Sequence, residues 1–142
     1  MREIKFRAYH HRLKGFIHIN GHTLLETGGI HHNNKHYYPN DKITYMQYTG
    51  LKDKEGKEIY EGDIVCQNFS LDYDEDNFGK SRSGTHTGEV VIIASRGVCL
   101  RRPRTKHNSW NGLLQGYINV RTYRSKVIGN IYENPKLLET NK

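Results

Sequence analysis

The stretch from Met46 to Val65, MQYTGLKDKEGKEIYEGDIV, limits the fold more than any other, because almost every residue in it is strand filling or turn chemistry. Just ahead of it, Ile43, Tyr45 and Gln47 share one face of an extended segment, and Thr44, Met46 and Tyr48 share the other. β-Branched and aromatic side chains suit such a pleated surface. Thr49-Gly50 interrupts the run. In Lys52-Asp53-Lys54-Glu55-Gly56-Lys57, the Asp53 carboxylate can accept from the backbone two residues on. Gly56 can turn left-handed without a Cβ penalty, so a hairpin turn is expected between Leu51 and Ile59. Glu61-Gly62-Asp63 repeats the chemistry and delivers Ile64 and Val65 into a short buried strand. Two reversals within twenty residues predict a small, strongly bent antiparallel sheet.

The rest of the chain extends this pattern. Ile4 and Phe6 alternate with Lys5 and Arg7, a turn follows at Arg12 to Gly15, and Phe16 to Ile19 returns, which reads as an N-terminal hairpin. Residues 20–40, with Gly28-Gly29, Asn33-Asn34 and Pro39, show no clean period and read as a long loop, with one short strand or helical turn near Thr23 to Glu26. Residues 67–87 are polar, then acidic, then serine-rich, the composition of a mobile insertion between barrel strands. Val90 to Ile93 and Val98 to Leu100 flank a turn at Ser95-Arg96-Gly97, and 101–111 reads as a second polar loop. Strands are expected at Tyr117 to Tyr123 and Lys126 to Ile131, with Asn134 capping a final helical turn that has Pro135 at its first position. The expected organisation is a single domain over 1–142: hairpin and loop in 1–42, barrel core in 43–132, turn and tail in 133–142.

Three segments together carry a family likeness: the opening MREIKFRAY, the central MQYTGLKDKEGKEIYEGDIV and the closing VIGNIYENPKLL. They resemble the YopX family, small proteins of phages and prophages of low-GC bacteria. The resemblance implies a mainly β domain related to SH3-like barrels, in which the Ile59-Tyr60-Glu61-Gly62-Asp63-Ile64-Val65 segment turns into a barrel strand. It implies no activity. The chain departs from the pattern at Tyr9-His10, where relatives often show Trp-Asp, and at Glu55-Gly56, where they often show Asn-Gly.

With 35% hydrophobic residues in 142, the core is modest, although ten tyrosines each add a large ring. A modest core makes association of copies a further source of stability, so a homo-oligomer is expected. Met1 to Ile19 carries five cationic residues and no apolar run, and no stretch has the length to span a bilayer. A cytoplasmic protein of the bacterial host is the expectation, with Cys66 and Cys99 as buried thiols rather than a bridge. The net charge is +7 and unevenly spread: 1–45 holds seven cations against three acids, 46–86 five against nine, and 87–142 ten against three.

Four patterns bear on chemistry. Seven of the nine histidines lie in the first 36 residues, but without the paired Cys/His spacing of zinc sites; His10 and His18 converging across the hairpin is the arrangement to check. Asp72 to Asp76 begins like a calcium loop, yet Asn77 stands where a glycine is needed and Ser83 where a bidentate glutamate is needed. No nucleophile elbow, phosphate-binding loop or dinucleotide fingerprint occurs. Neither an enzyme nor a cofactor or metal is therefore expected. The fourth pattern is Arg101, Arg102, Arg104 and Lys106 followed by Trp110. Guanidinium groups neutralise phosphates and an exposed indole offers a stacking surface, which is the chemistry of nucleic-acid contact. The alternative is a solvated loop, or one docked on the acidic 72–76 segment, with Trp110 in the core. The leading reading is an interaction module for a host or phage protein or its own copies. The runner-up is a nucleic-acid-binding module using those five residues, and a small hydrolase is a weaker third.

Overall fold

The chain's alternating segments become strands almost throughout, and helix is confined among the described residues to single 3-10 turns. The structure is a computed structural model that describes residues 5–17, 23–24, 30–32, 35–37, 43–71, 82–107 and 110–139. Side chains are described for 5–16, 43–70, 83–106 and 111–139. The fold is mainly β, as expected, and divides into two compact units, Met1–Tyr48 and Thr49–Lys142.

In the first unit, β1 (Phe6–His10) lies between β2 (Gly15–Ile17) and β6 (Ile43–Lys52), antiparallel to both. The register sets Tyr9 opposite Phe16 and Thr44, and Arg7 opposite Met46. Ala8, Tyr9, His10, Met46 and Tyr48 are buried, and the Tyr9 ring meets Phe16 edge to face at 5.2 Å. The N-terminal hairpin is as the sequence predicts. Residues 20–40 hold more pairing than expected: β3 (Thr23–Leu24), β4 (Ile30–His32) and β5 (Lys35–Tyr37) form a three-stranded antiparallel sheet. Such short strands leave too few residues for a readable period. His18 lies outside the described residues, so its convergence with His10 is not described; His10 Nδ1 accepts from the Leu13 amide at 3.1 Å.

The second unit begins within β6, whose last residues pair with β7 (Glu58–Tyr60). Then come β8 (Asp63–Leu71), β9 (Arg82–Ile93), β10 (Gly97–His107), β11 (Trp110–Leu113), β12 (Tyr117–Asn119) and β13 (Ser125–Asn130). They pair antiparallel in the order β11-β10-β9-β8-β13, with β12 also on β10, as a curled sheet that makes a half-barrel. One face of this sheet, here the inner face, carries Val65, Val90, Val98, Leu100 and Val127, which with Ile59 form the core. Burying such aliphatic side chains stabilises by roughly 1.5–3 kcal/mol each.

Both expected turns are present, and each depends on a carboxylate. Asp53 Oδ1 accepts from the Glu55 and Lys57 amides, both at 2.9 Å, while Gly56 is left-handed at φ 84°. Asp53 Oδ2 accepts from the amide of Val127 in β13, also at 2.9 Å. Burial pushes the Asp53 carboxyl up, but the three amide donors and the Lys57 charge outweigh it and hold it below the ordinary aspartate value. In the second turn Asp63 Oδ2 accepts from the Tyr60 amide at 2.8 Å and Gly62 is left-handed.

Several boundaries differ from expectation. The 67–87 segment is not wholly an insertion, since β8 runs to Leu71 and β9 starts at Arg82; only 72–81, with the acidic 72–76 run, lies outside the described residues. Its polar strand residues face solvent or a polar end of the inner face, so composition hides the ladder. Residues 101–107 are strand rather than loop, because β10 continues through a bulge between Arg101 and Arg104, and β11 starts at Trp110; 108–109 lie outside the described residues. Tyr117 to Tyr123 is strand only to Asn119, then enters the 3-10 turn Thr122–Arg124. The final turn, Pro135–Leu138, starts at Asn134, but the Asn134 side chain does not cap it; that oxygen accepts from the Asn130 amide instead, at 3.3 Å. Cys66 and Cys99 are free thiols, Cys99 buried and Cys66 half-buried.

Candidate binding surfaces of the second unit

The bulge in β10 decides where the basic run points. From Arg101 to Arg104 the strand advances three residues while β9 advances two, from Glu89 to Thr87. The extra residue places Arg101 and Arg104 both on the outer face, where Lys106 also lies, opposite Thr85. Pro103 is buried within the bulge, where a proline removes no ladder bond. Arg102 is left-handed at φ 44°, a conformation costing a non-glycine residue about 1 kcal/mol, and its amide donates to Gly116 at 2.8 Å.

The predicted residues are therefore divided along one strand instead of sharing a loop. Arg101 and Arg102 border a cavity of about 490 Å³ with Gln115, Gly116 and Tyr117. Arg101 also pairs with Glu89 at 3.2 Å, an exposed contact that solvent weakens. Arg104 and Lys106 border a second cleft, of about 260 Å³, with Thr85, Thr87, Ile128, Lys136 and Leu137. The Arg104 guanidinium donates to the carbonyl of Glu139, which holds it at the rim. Trp110 opens β11 opposite His107; its side chain lies outside the described residues.

Sequence reasoning missed a third place, at the far end of the inner face. Beyond Val65 and Val90 the core residues give way to Gln67, His86 and Thr105, cross-strand neighbours by register. Phe69 stacks on His86 with centroids 4.4 Å apart, and His86 Nδ1 meets Thr105 Oγ1 at 2.7 Å. Burial lowers the His86 pKa, so its ring is neutral at pH 7. Buried Gln67 fixes the opposite wall: its Oε1 accepts from the Arg121 amide at 2.7 Å and from Ser125 Oγ at 2.9 Å, while its Nε2 donates to the Asn119 carbonyl at 3.2 Å. That turn presents Arg121, Tyr123 and Arg124 over a groove of about 410 Å³ floored by Phe69 and His86. The Arg121-x-x-Arg124 spacing was visible in sequence; its partners across some fifty residues were not.

Among the described residues no group of three or more His, Cys, Asp or Glu is arranged to hold a metal ion, and no helix is long and apolar enough to cross a membrane. Fold and surfaces define a small all-β protein whose long antiparallel strands carry clefts bordered by cations. The chain belongs to the YopX family, whose description is YopX protein and whose model matches residues 5–139. It is similar in fold to protein EF1440 from Enterococcus faecalis, known from a crystal structure. The TM-score is 0.53 at 23% identity, covering 98% of this chain and 100% of that one. No curated protein matches the chain.

Proposed function

We propose that the protein acts by binding, and that the outer face of its second unit engages a polyanion, nucleic acid in the first place. The observation that carries this reading is the convergence of Arg104, Lys106 and Lys136 on one cleft that also offers the Thr85 and Thr87 hydroxyls and has no acid among the described residues that line it. Cations from β10 and the C-terminal turn point at one volume, and cations with hydroxyls are the donors that phosphate oxygens accept. In this reading the protein is a phage- or prophage-borne module working in the cytoplasm of its bacterial host. The test is binding of a labelled nucleic acid across a salt series. Affinity should fall steeply with salt, and Lys106→Glu with Lys136→Glu should reduce the slope of log K against log salt by about 2, near one per lost phosphate contact. An unchanged slope in that variant would refute the assignment.

A second reading has its own observation. Ile128 and Leu137, in the same cleft, are 38% and 37% exposed, and Leu113 and Tyr117 are exposed too. Such residues suit a protein interface, with a host or phage protein or with another copy of this chain. That interface would change little with salt, and sedimentation at micromolar concentration would detect self-association.

A further inference from the structure

The groove at the polar end of the inner face has no role in the outer-face reading, yet it combines two features seldom adjacent. Phe69 and His86 present stacked, flat rings at its floor, and Arg121 and Arg124 stand at its wall, with no carboxylate among the described residues that line it. Its volume, about 410 Å³, falls within the range of small-ligand pockets. Tyr123, beside the arginines, is 65% exposed, a large ring that the fold leaves in solvent. The wall is built, not incidental: the Arg121 amide and Ser125 hydroxyl are both held by one buried glutamine oxygen.

We propose that this groove takes an unpaired base of a single-stranded nucleic acid against the Phe69 and His86 rings, with the adjoining phosphates on Arg121 and Arg124. Aromatic rings accept any base by its π-face, and guanidinium groups neutralise the backbone on either side. Rings recessed at the floor of a groove can be reached by a splayed base but not by one stacked and paired in a duplex, so the ligand is single-stranded. The neutrality of His86 keeps that floor free of charge and suited to stacking. The inference rests on the nucleic-acid reading above for its class of ligand, but on different residues and the opposite face of the sheet.

The experiment measures fluorescence anisotropy with three labelled probes of about ten nucleotides: oligothymidylate, an abasic oligomer of the same length, and a duplex. The protein is the full chain, with Phe69→Leu, with Arg121→Gln and Arg124→Gln together, or with Lys106→Glu and Lys136→Glu together. Oligothymidylate should bind tighter than the other two probes. Phe69→Leu should weaken it about tenfold while leaving the abasic oligomer unchanged, and the arginine pair should weaken both. Arg121 is exposed, and Arg124 is half-buried with its guanidinium over the exposed Tyr123 ring, so neither belongs to the core and that variant tests the groove even where Phe69→Leu unfolds. If the groove variants bind oligothymidylate like the parent while the lysine variant loses it, the inference falls and the outer-face reading stands. If the parent binds none of the probes at low salt, both fall. Equal displacement of oligothymidylate by an oligoglutamate of matching charge, from the parent and Phe69→Leu alike, would also overturn the inference, since the groove would then read charge alone.

Discussion

Replacing Asp53 tests how far one turn residue holds the second unit together. Asp53 is 6% exposed, and its carboxylate accepts three backbone amides, two within its own turn and one from Val127 in β13. Asp53→Ala removes all three. The Val127 amide is buried and left without an acceptor, at a cost of about 1–3 kcal/mol. Glu55 and Lys57 lie where water replaces the lost oxygen, so each of those bonds contributes only about 0.5–1.5 kcal/mol. The expected loss is about 3–4 kcal/mol, a large part of the 5–15 kcal/mol or so that a domain has. Asp53→Asn keeps the shape but places an NH2 group opposite one set of donors, so it should cost about 2 kcal/mol. Urea unfolding reads this as a midpoint shift of about 2 M for alanine at constant m, taking m near 1.5–2 kcal/mol/M. The carboxyl is held below the ordinary aspartate value, so its contribution is present above the unfolded pKa of about 3.9 and is lost as pH falls through the lower folded value. The gap between the parent and Asp53→Asn should therefore close in acid. A loss below about 1 kcal/mol for Asp53→Ala at pH 7 would refute the account.

Three further outcomes are expected. Gly84→Ala would put a Cβ 2.1 Å from the Lys106 carbonyl oxygen and 2.7 Å from the Phe69 ring, so β9 and β10 must part; a loss of about 2–3 kcal/mol is expected by urea unfolding, and an unchanged midpoint would contradict the register. Thr49→Val removes a buried hydroxyl that donates to the Ile59 carbonyl at 2.7 Å and accepts from the Leu51 amide at 3.1 Å, and should cost about 1–3 kcal/mol, again read as a midpoint shift. In a Cys66→Ser variant the Cys99 thiol, fully buried and pushed up in pKa by that burial despite Arg96, should react with a thiol reagent only in step with unfolding; immediate labelling of the native protein would show that β10 opens.

Local chemistry made much of the fold legible. Asp53, Gly56 and Gly62 announce their turns because the bonds and dihedrals involved span only a few residues, and the amide that Asp53 was expected to hold two residues on is among the three it holds. Alternation announced β1 and β6, and short apolar runs bounded by a turn announced the strands around Val90 and Val98, for the same reason. The candidate surfaces were legible only in part. Arg101, Arg102, Arg104 and Lys106 stood out by composition, but composition carries no direction.

What the tertiary structure alone decided depends on register. One extra residue in β10 sends Arg101 and Arg104 to the same side, and no count along the sequence reveals a bulge. The second oxygen of Asp53 finds Val127 at a separation of 74 residues, and Gln67 finds the Arg121 amide at 54. Phe69 and His86, the rings at the base of the groove, sit in a segment whose polar composition reads as a loop. Turns belong to the sequence because their energies close over four or five residues. Facing side chains across strands belong to the structure, because which residues meet is settled by pairing the whole ladder at once.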